Sequence, residues 1–505
     1  MFVRCKRNKS GSTSVLIVSK SRGKYELIRT IGCAHSKEEE DNLVQEAYAL
    51  LPQLMHQRVL DFSYDEDRQF LINLKQGVKQ LLLAGPELIP GKLFDEIGYN
   101  AIPEVLFRYL VITRIIYPGS KLKAIEYLLL YRGISISSSS IYRYLDKFNT
   151  EYSKLVKDIT FRHTKKILND QITVAFYDIT TLYFETSEED ELRKLGFSKD
   201  GKAQNPQILL SLLVGINGYP LAYEVFEGNK FEGHTLIPVI EAFKTQYALS
   251  NLIVVADAGL LSKDNIESLR EARYPFILGA RLKNETENLQ QQILSHTYRN
   301  GQCINFLRRD GTKLIVSYSA QRAKKDEHMR KRGMERLEKS IQAGKLTKEH
   351  INNRGYNKYL AIKEEITVSI NYELYMQDSK WNGLKGYITN CDLSNENIIN
   401  SYAELWNIEK AFRISKTDLE IRPIYHRLER RIKTHICIAF CAYKVYKELE
   451  RQLQSKKAKL SVEQAISLCK TIYEAEVRLP QSLKKVRVLL PLGKKQQYLL
   501  SLFNQ

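Results

Sequence analysis

Between Ile172 and Leu282 the apolar residues fall into short runs separated by turn signals, the pattern of strands rather than of long helices. "ITVAFYDITTLYFE" reads as one strand and "PQILLSLLVGI" as the next. "YPLAYEVFE" follows after Asn217-Gly218, a dipeptide favoured in two-residue hairpin turns. A helical pattern from Thr235 to Tyr247 comes next. It is succeeded by a strand at Asn251 to Ser262, a helix in "KDNIESLREARY" and a strand at Pro275 to Leu282. The order βββαβαβ predicts an α/β fold, a mixed sheet with helices packed on its faces.

The flanks follow other periods. Residues 1–92 read as a small basic module, with two short strand runs around a Ser-Arg-Gly turn and a helix from about Lys37 to Gln57. Residues 93–165 are helical, interrupted by "YPGSKL" at Tyr117 to Leu122 and by "RGISISSSSIYRYLDKF" from Arg132. The second break has the shape of a helix-turn-helix: a turn at Gly133, serines able to cap a helix at Ser137 to Ser140, then Ile141, Tyr142, Tyr144 and Leu145. Arg143 and Lys147 fall on the exposed face of its second helix, where they serve either DNA contact or an ordinary solvated surface. Residues 166–282 hold the sheet pattern. Residues 283–394 leave it, with a hairpin signal at Asp310-Gly311 and the charged run "RAKKDEHMRKRGMERLEKSIQAGK", and predict a β-rich inserted subdomain. Helical text resumes over 395–450, and 451–505 reads as a basic helical tail.

Composition narrows the partners. The 505 residues carry 77 Lys and Arg against 58 Asp and Glu, a formal net charge of +19, so a polyanion is the expected partner, with nucleic acid ahead of an anionic membrane surface. Seven scattered cysteines with no C-x-x-C pair predict a reducing, cytoplasmic setting without a disulfide framework. No apolar run is long enough to span a bilayer.

Three acids stand out against this background. Asp178 lies inside the strand "TVAFYDITTLYFET", where an unpaired carboxylate would be costly unless it is satisfied by a partner, by a sheet edge or by a metal. Asp257 closes the strand run "LIVVAD" just before Ala258-Gly259, the usual place for chemistry on an open α/β sheet. In "YAELWNIEKAFRISK", Tyr402, Glu409 and Lys416 recur every seven residues. That spacing predicts one helical face, with Arg413 one turn beyond Glu409. The same stripe would also suit a plain solvated surface. Carboxylates without His or Cys at zinc spacing favour a hard cation. "HICIAFC" at His435 to Cys441 is read as helical core.

Taken together, "YDITTLYFE", "SKDGKAQNPQILLSLLVGINGYPLAYEVFEGN", "VVADAGLLS", "FILGARLK", "LKGYITN" and "YAELWNIEKAFRISKTDLEIRPIYHRLERRIKTHICIAF" resemble the DDE transposases of bacterial insertion sequences. The resemblance is to the cut-and-paste group, whose ribonuclease-H-like catalytic domain is interrupted by a β-rich insertion before the catalytic Glu. It implies that Asp178, Asp257 and Glu409 are a metal-binding catalytic triad for two Mg²⁺ ions, with Mn²⁺ as a substitute. The family signature around the Glu is Y-x2-R-x3-E-x6-K. Tyr402, Glu409 and Lys416 match it, and Leu405 stands at the Arg position, where Arg413 is the candidate replacement. The implied activity is DNA cleavage at the element's ends and strand transfer into target DNA. The implied partners are terminal inverted repeats and target DNA, met by a homodimer in a synaptic complex associated with the nucleoid. Tyr402, Arg413 and Lys416, with Arg143, Lys147, Arg430 and Arg431, are the expected DNA contacts. The rival expectations are a ribonuclease-H-like nuclease that does not integrate and an inactive, domesticated DNA-binding protein.

Overall fold

A computed structural model describes the chain except for residues 22, 56–61, 170–171, 199–200, 203, 232–233, 248, 250–251, 261–262, 347–351, 353–354, 364–366, 480–481 and 504–505. The ends of the strand expected over Asn251 to Ser262 therefore lie outside the described residues. The chain divides into two compact units, one of Met1–Gln80 with Glu476–Arg487 and one of Leu81–Ala475 with Val488–Gln505.

In the first unit, strands Phe2–Arg7, Thr13–Ser21 and Lys24–Ala34 form an antiparallel sheet, one strand more than the sequence pattern suggests. Helix Lys37–Leu54 starts at Ser36, whose side chain accepts the Glu39 amide, and lays Ala47 and Leu51 against Val15 and Ile17.

The second unit is built on an eight-stranded sheet. Its strands are β1 (Val174–Tyr183), β2 (Gln207–Val214), β3 (Pro220–Glu227), β4 (Ile253–Ala256), β5 (Phe276–Ala280), β6 (Cys303–Leu307), β7 (Lys313–Tyr318) and β8 (Leu384–Thr389). Their order across the sheet is β3-β2-β1-β4-β5-β8-β7-β6. β1, β2 and β3 pair antiparallel, β4 and β5 run parallel to β1, and β8, β7 and β6 continue antiparallel from β5. At the β2–β3 turn Asn217 and Gly218 both take positive φ, 60° and 75°, which is the hairpin geometry this dipeptide favours.

The segment 283–394 differs from a separate β-rich body. Its hairpin β6–β7 forms where Asp310-Gly311 predicts it, but β8 joins that hairpin to β5, so the three strands widen the main sheet. The rest of its described residues carry more helix than strand, chiefly Ala320–Gln342, which absorbs the charged run. The tail after residue 450 is also not wholly helical: Tyr473–Arg478 and Lys485–Leu489 are strands. The first departure arises because a strand's pattern does not state which sheet it pairs with.

Helices cover both faces of the sheet. Those used below are α1 (Lys121–Arg132), α2 (Ser138–Glu151), α3 (Asn395–Ala403), α4 (Trp406–Arg413) and α5 (Glu429–Ser455). α1 ends in left-handed Gly133 and α2 begins at Ser137, whose hydroxyl accepts the Ser140 amide, so the helix–turn–helix shape forms as the serines suggest. α5 is buried almost all round from Ile432 to Leu449, with Cys437 and Cys441 in its core. No described helix is long and apolar enough to cross a membrane.

Candidate active site

The sheet register brings two of the acids side by side. Phe176 of β1 pairs with Val255 of β4 and Tyr177 with Ala256, so Asp178 and Asp257 occupy the next rung at the carboxyl end of β4. Side chains alternate along a strand, so Asp178 shares the face of Phe176 and Leu182, and Asp257 that of Val255. α4 packs on this same face, its Ile408, Ala411 and Phe412 entering one apolar cluster with Phe176, Leu182 and Val255. Asp178 is half-buried and its Oδ1 accepts the Ile179 amide at 2.7 Å, while Asp257 and Glu409 are exposed.

Tyr402 joins the third element to the sheet. Its ring is buried, 7% exposed, and its hydroxyl donates to Asp257 Oδ1 at 3.0 Å. Burial, and next the Asp257 charge, push the Tyr402 hydroxyl far above its ordinary pKa, so it stays a donor. Gly279 makes this seat possible: a Cβ there would overlap the Tyr402 hydroxyl outright. Lys385 of β8 completes the group, with its ammonium 4.4 Å from the Tyr402 ring centre and 5.4 Å from that of Tyr387. Burial chiefly, and then Arg322, lower the pKa of Lys385, while Asp257 and Glu409 act in the opposite direction; both acids are thus its electrostatic neighbours.

The expected stripe of Tyr402, Glu409 and Lys416 does not lie on one helix. α3 stops at Ala403, α4 starts at Trp406, and Lys416 sits in a π-helical turn, Ile414–Asp418. Leu405, at the Arg position of the signature, is buried in the joint between α3 and α4, and Arg413 is exposed near the end of α4. A seven-residue spacing cannot register such a break.

The other expected DNA contacts are largely engaged within the protein. Arg430 Nε and Arg431 Nε each donate to Asp146 Oδ1 at 2.8 Å, and Arg431 Nη2 reaches Oδ2 at 2.8 Å. Lys147 pairs with Glu104 at 2.7 Å and more loosely with Glu151 at 3.6 Å. Arg143 remains exposed on α2, 3.5 Å from Ser140 Oγ. Sequence reading passed over Gly279 and Lys385, although a glycine inside a strand is itself a sign of close approach.

The acids offer only oxygen donors, which suits a hard divalent cation. As the side chains stand, no three His, Cys, Asp or Glu among the described residues are close enough to hold a metal ion. The donor chemistry and the shared sheet face fit such an ion; the spacing is that of an open set.

The chain matches the family described as "Transposase DDE domain" over residues 170–444, more than half of its length. It belongs to that family and is a DDE transposase. Enzymes of this family use divalent metal ions. Among solved structures the chain is similar to a piggyBac transposase seen by cryo-electron microscopy in a synaptic complex with hairpin DNA. The identity is 10% and the TM-score 0.38, with 72% of this chain and 69% of that one covered. No curated protein sequence matches it.

Proposed function

We infer that this transposase cleaves DNA at the ends of a mobile element and joins the freed 3′ ends to target DNA, with Asp178, Asp257 and Glu409 as its catalytic carboxylates. The observation that carries this reading is the Phe176–Val255 and Tyr177–Ala256 register, which makes the two aspartates neighbours beneath α4. The strand order β3-β2-β1-β4-β5, with β4 and β5 parallel to β1, supports a ribonuclease-H-like core widened by strands from the insertion.

Asp178, Asp257 and Glu409 would hold two Mg²⁺ ions, or Mn²⁺ in their place. Bound there, the ions would favour ionisation of the attacking oxygen and stabilise the leaving one during in-line displacement at phosphorus. Tyr402 orients Asp257 through its hydroxyl, and Gly279 gives that hydroxyl room. Lys385 offsets part of the negative charge gathered at the site, and in this reading Lys416 and Arg413 steady the phosphates flanking the scissile bond. Terminal inverted repeats and target DNA are the substrates in this reading, and a homodimer is the unit that pairs the two ends.

The test is Mg²⁺-dependent joining of element-end DNA to a target duplex. Joined product from wild type, lost in Asp178→Ala, Asp257→Ala and Glu409→Ala, is the expected result. Undiminished joining in those variants overturns the assignment. Cleavage without joining would make the protein a nuclease, and sequence-specific binding without either would make it a domesticated DNA-binding protein.

A further inference from the structure

Basic side chains line a cavity at the amino end of α1. The chain turns at Gly119, caps α1 with Ser120, whose hydroxyl accepts the Lys123 amide at 3.2 Å, and opens a cavity of ≈ 500 Å³ at the amino end of that helix. Lys121, Tyr142, Glu420, Arg422, His426 and His435 are among the residues that line it. The motif "YPGSKL" therefore does more than interrupt two helices: it forms one wall of a pocket whose other wall is the "RPIYH" stretch from Arg422 to His426 and the first turns of α5.

The charges here are unusual for a folded interior. Lys121, His426 and His435 are 7%, 7% and 5% exposed, and Arg114 behind them 4%. Among the described residues Arg114 donates only to backbone carbonyls, those of Leu419 at 3.4 Å and Glu420 at 3.0 Å. His435 Nε2 lies 2.8 Å from the Ile421 carbonyl and so carries the proton; its Nδ1 faces Lys121 Nζ at 3.5 Å. His426 has ring contacts with Tyr142 and His435 but no hydrogen-bond partner among the described residues. Glu420, the carboxylate among the lining residues, is exposed, and nearby Asp146 is taken by Arg430 and Arg431. Among the described residues no carboxylate is hydrogen-bonded to Lys121 or Arg114, so their burial is costly, and an incoming anion would relieve that cost. The same opposition shows in titration. Burial, and then Arg114, lower the pKa of Lys121; burial, and then Lys121, hold His426 down to about 3. The first-turn amides of α1 add positive potential at the same mouth.

We propose that this pocket binds a phosphate group, with Lys121, His426 and the amino end of α1 as its donors. The group is either a backbone phosphate of bound DNA or a free phosphate; the chemistry is shared. The inference does not depend on the carboxylate site, because binding needs no strand transfer.

The test uses the full chain with histidines ¹³C-labelled in the ring, and two probes: inorganic phosphate, and a random-sequence duplex of about 30 base pairs at matched ionic strength. His426→Gln identifies the His426 resonance. If DNA is the source, the duplex moves the His426 and His435 resonances, and duplex affinity falls about tenfold in Lys121→Gln with a shallower salt slope. If free phosphate is the source, it moves those resonances at about millimolar concentration, which for a single site corresponds to roughly −4 kcal/mol. Lys121→Gln then abolishes the shift, and duplex affinity is unchanged. Lys123→Gln, at an exposed position on the rim, should weaken the same probe and serves if Lys121→Gln does not fold. Unmoved histidine resonances with both probes, and affinities within about twofold of wild type in the folded variants, overturn the proposal. Loss of DNA joining in Asp178→Ala would leave these readouts untouched, so the two inferences fail separately.

Discussion

The Tyr402 hydroxyl donates to the Asp257 carboxylate at 3.0 Å across 145 residues of sequence, tying α3 to the carboxyl end of β4. A hydrogen bond to a charged group contributes about 1.5–3 kcal/mol when its geometry matters. Tyr402→Phe should therefore lower the strand-transfer rate by about tenfold or more. Denaturant melts should move by less than about 1.5 kcal/mol, since Asp257 is exposed and water replaces the lost donor. An unchanged joining rate would remove Tyr402 from the machinery.

Gly279→Ala tests the same contact from the other side. The added methyl overlaps the Tyr402 hydroxyl and approaches the Ala258 amide, so overpacking should cost about 1–3 kcal/mol of stability and displace the ring. Combined with Tyr402→Phe, which removes the overlapping oxygen, the substitution should cost less than it does alone. A double-mutant cycle on both rate and stability measures the coupling, expected at about 1 kcal/mol or more for groups in contact.

Lys385→Met separates charge balance from chemistry. Its ammonium neighbours Asp257 and Glu409, so its removal should tighten divalent-ion binding about three- to tenfold, the scale of a single nearby charge worth about 1 kcal/mol. Joining at saturating Mg²⁺ should nevertheless fall, because the Tyr402 ring that orients Asp257 loses its cationic neighbour. Mn²⁺ titration and single-turnover rates read the two effects independently.

The Asp146 cluster predicts a pH-dependent term in stability. Hydrogen bonding from Arg431, against the opposing effect of burial, and then from Arg430, holds the Asp146 carboxyl down to about 2. Its folded pKa lies below the unfolded value of about 3.9, so the stabilisation is present above about pH 4 and is lost as pH falls through about 2. Both arginines are partly exposed and screened, so Asp146→Asn should cost about 1 kcal/mol at neutral pH. Urea melts of variant and wild type should converge as the pH is lowered from about 4 towards about 2.

Much of the fold was legible in the chain because it is local. Short apolar runs mark β1 and β2, Asn217-Gly218 marks the turn after β2, Asp310-Gly311 marks that between β6 and β7, and Ser137 marks the start of α2. Asp178 and Asp257 stand out for the same reason, since a carboxylate in or at the end of an apolar strand is anomalous where it stands, whereas Glu409 lies on a helix and only the resemblance to a family singles it out. What spacing could not report was the break between α3 and α4, which takes Tyr402, Glu409 and Lys416 off a common helix.

Long-range pairing decided the rest. Arg430 and Arg431 are cations to any reading of the chain, yet Asp146, 284 residues before Arg430, commits them to an ion-pair cluster. The strands of segment 283–394 look like a body of their own until β8 pairs with β5. Lys385 and Gly279 gain their setting only when that pairing carries one to the acids and leaves room beside the other for Tyr402. The sequence by itself determined the elements, the turns and the surplus of positive charge, since these depend on neighbours a few residues apart. Which strand lies beside which, and so which charges meet, depends on contacts hundreds of residues apart, and only the folded chain supplies them.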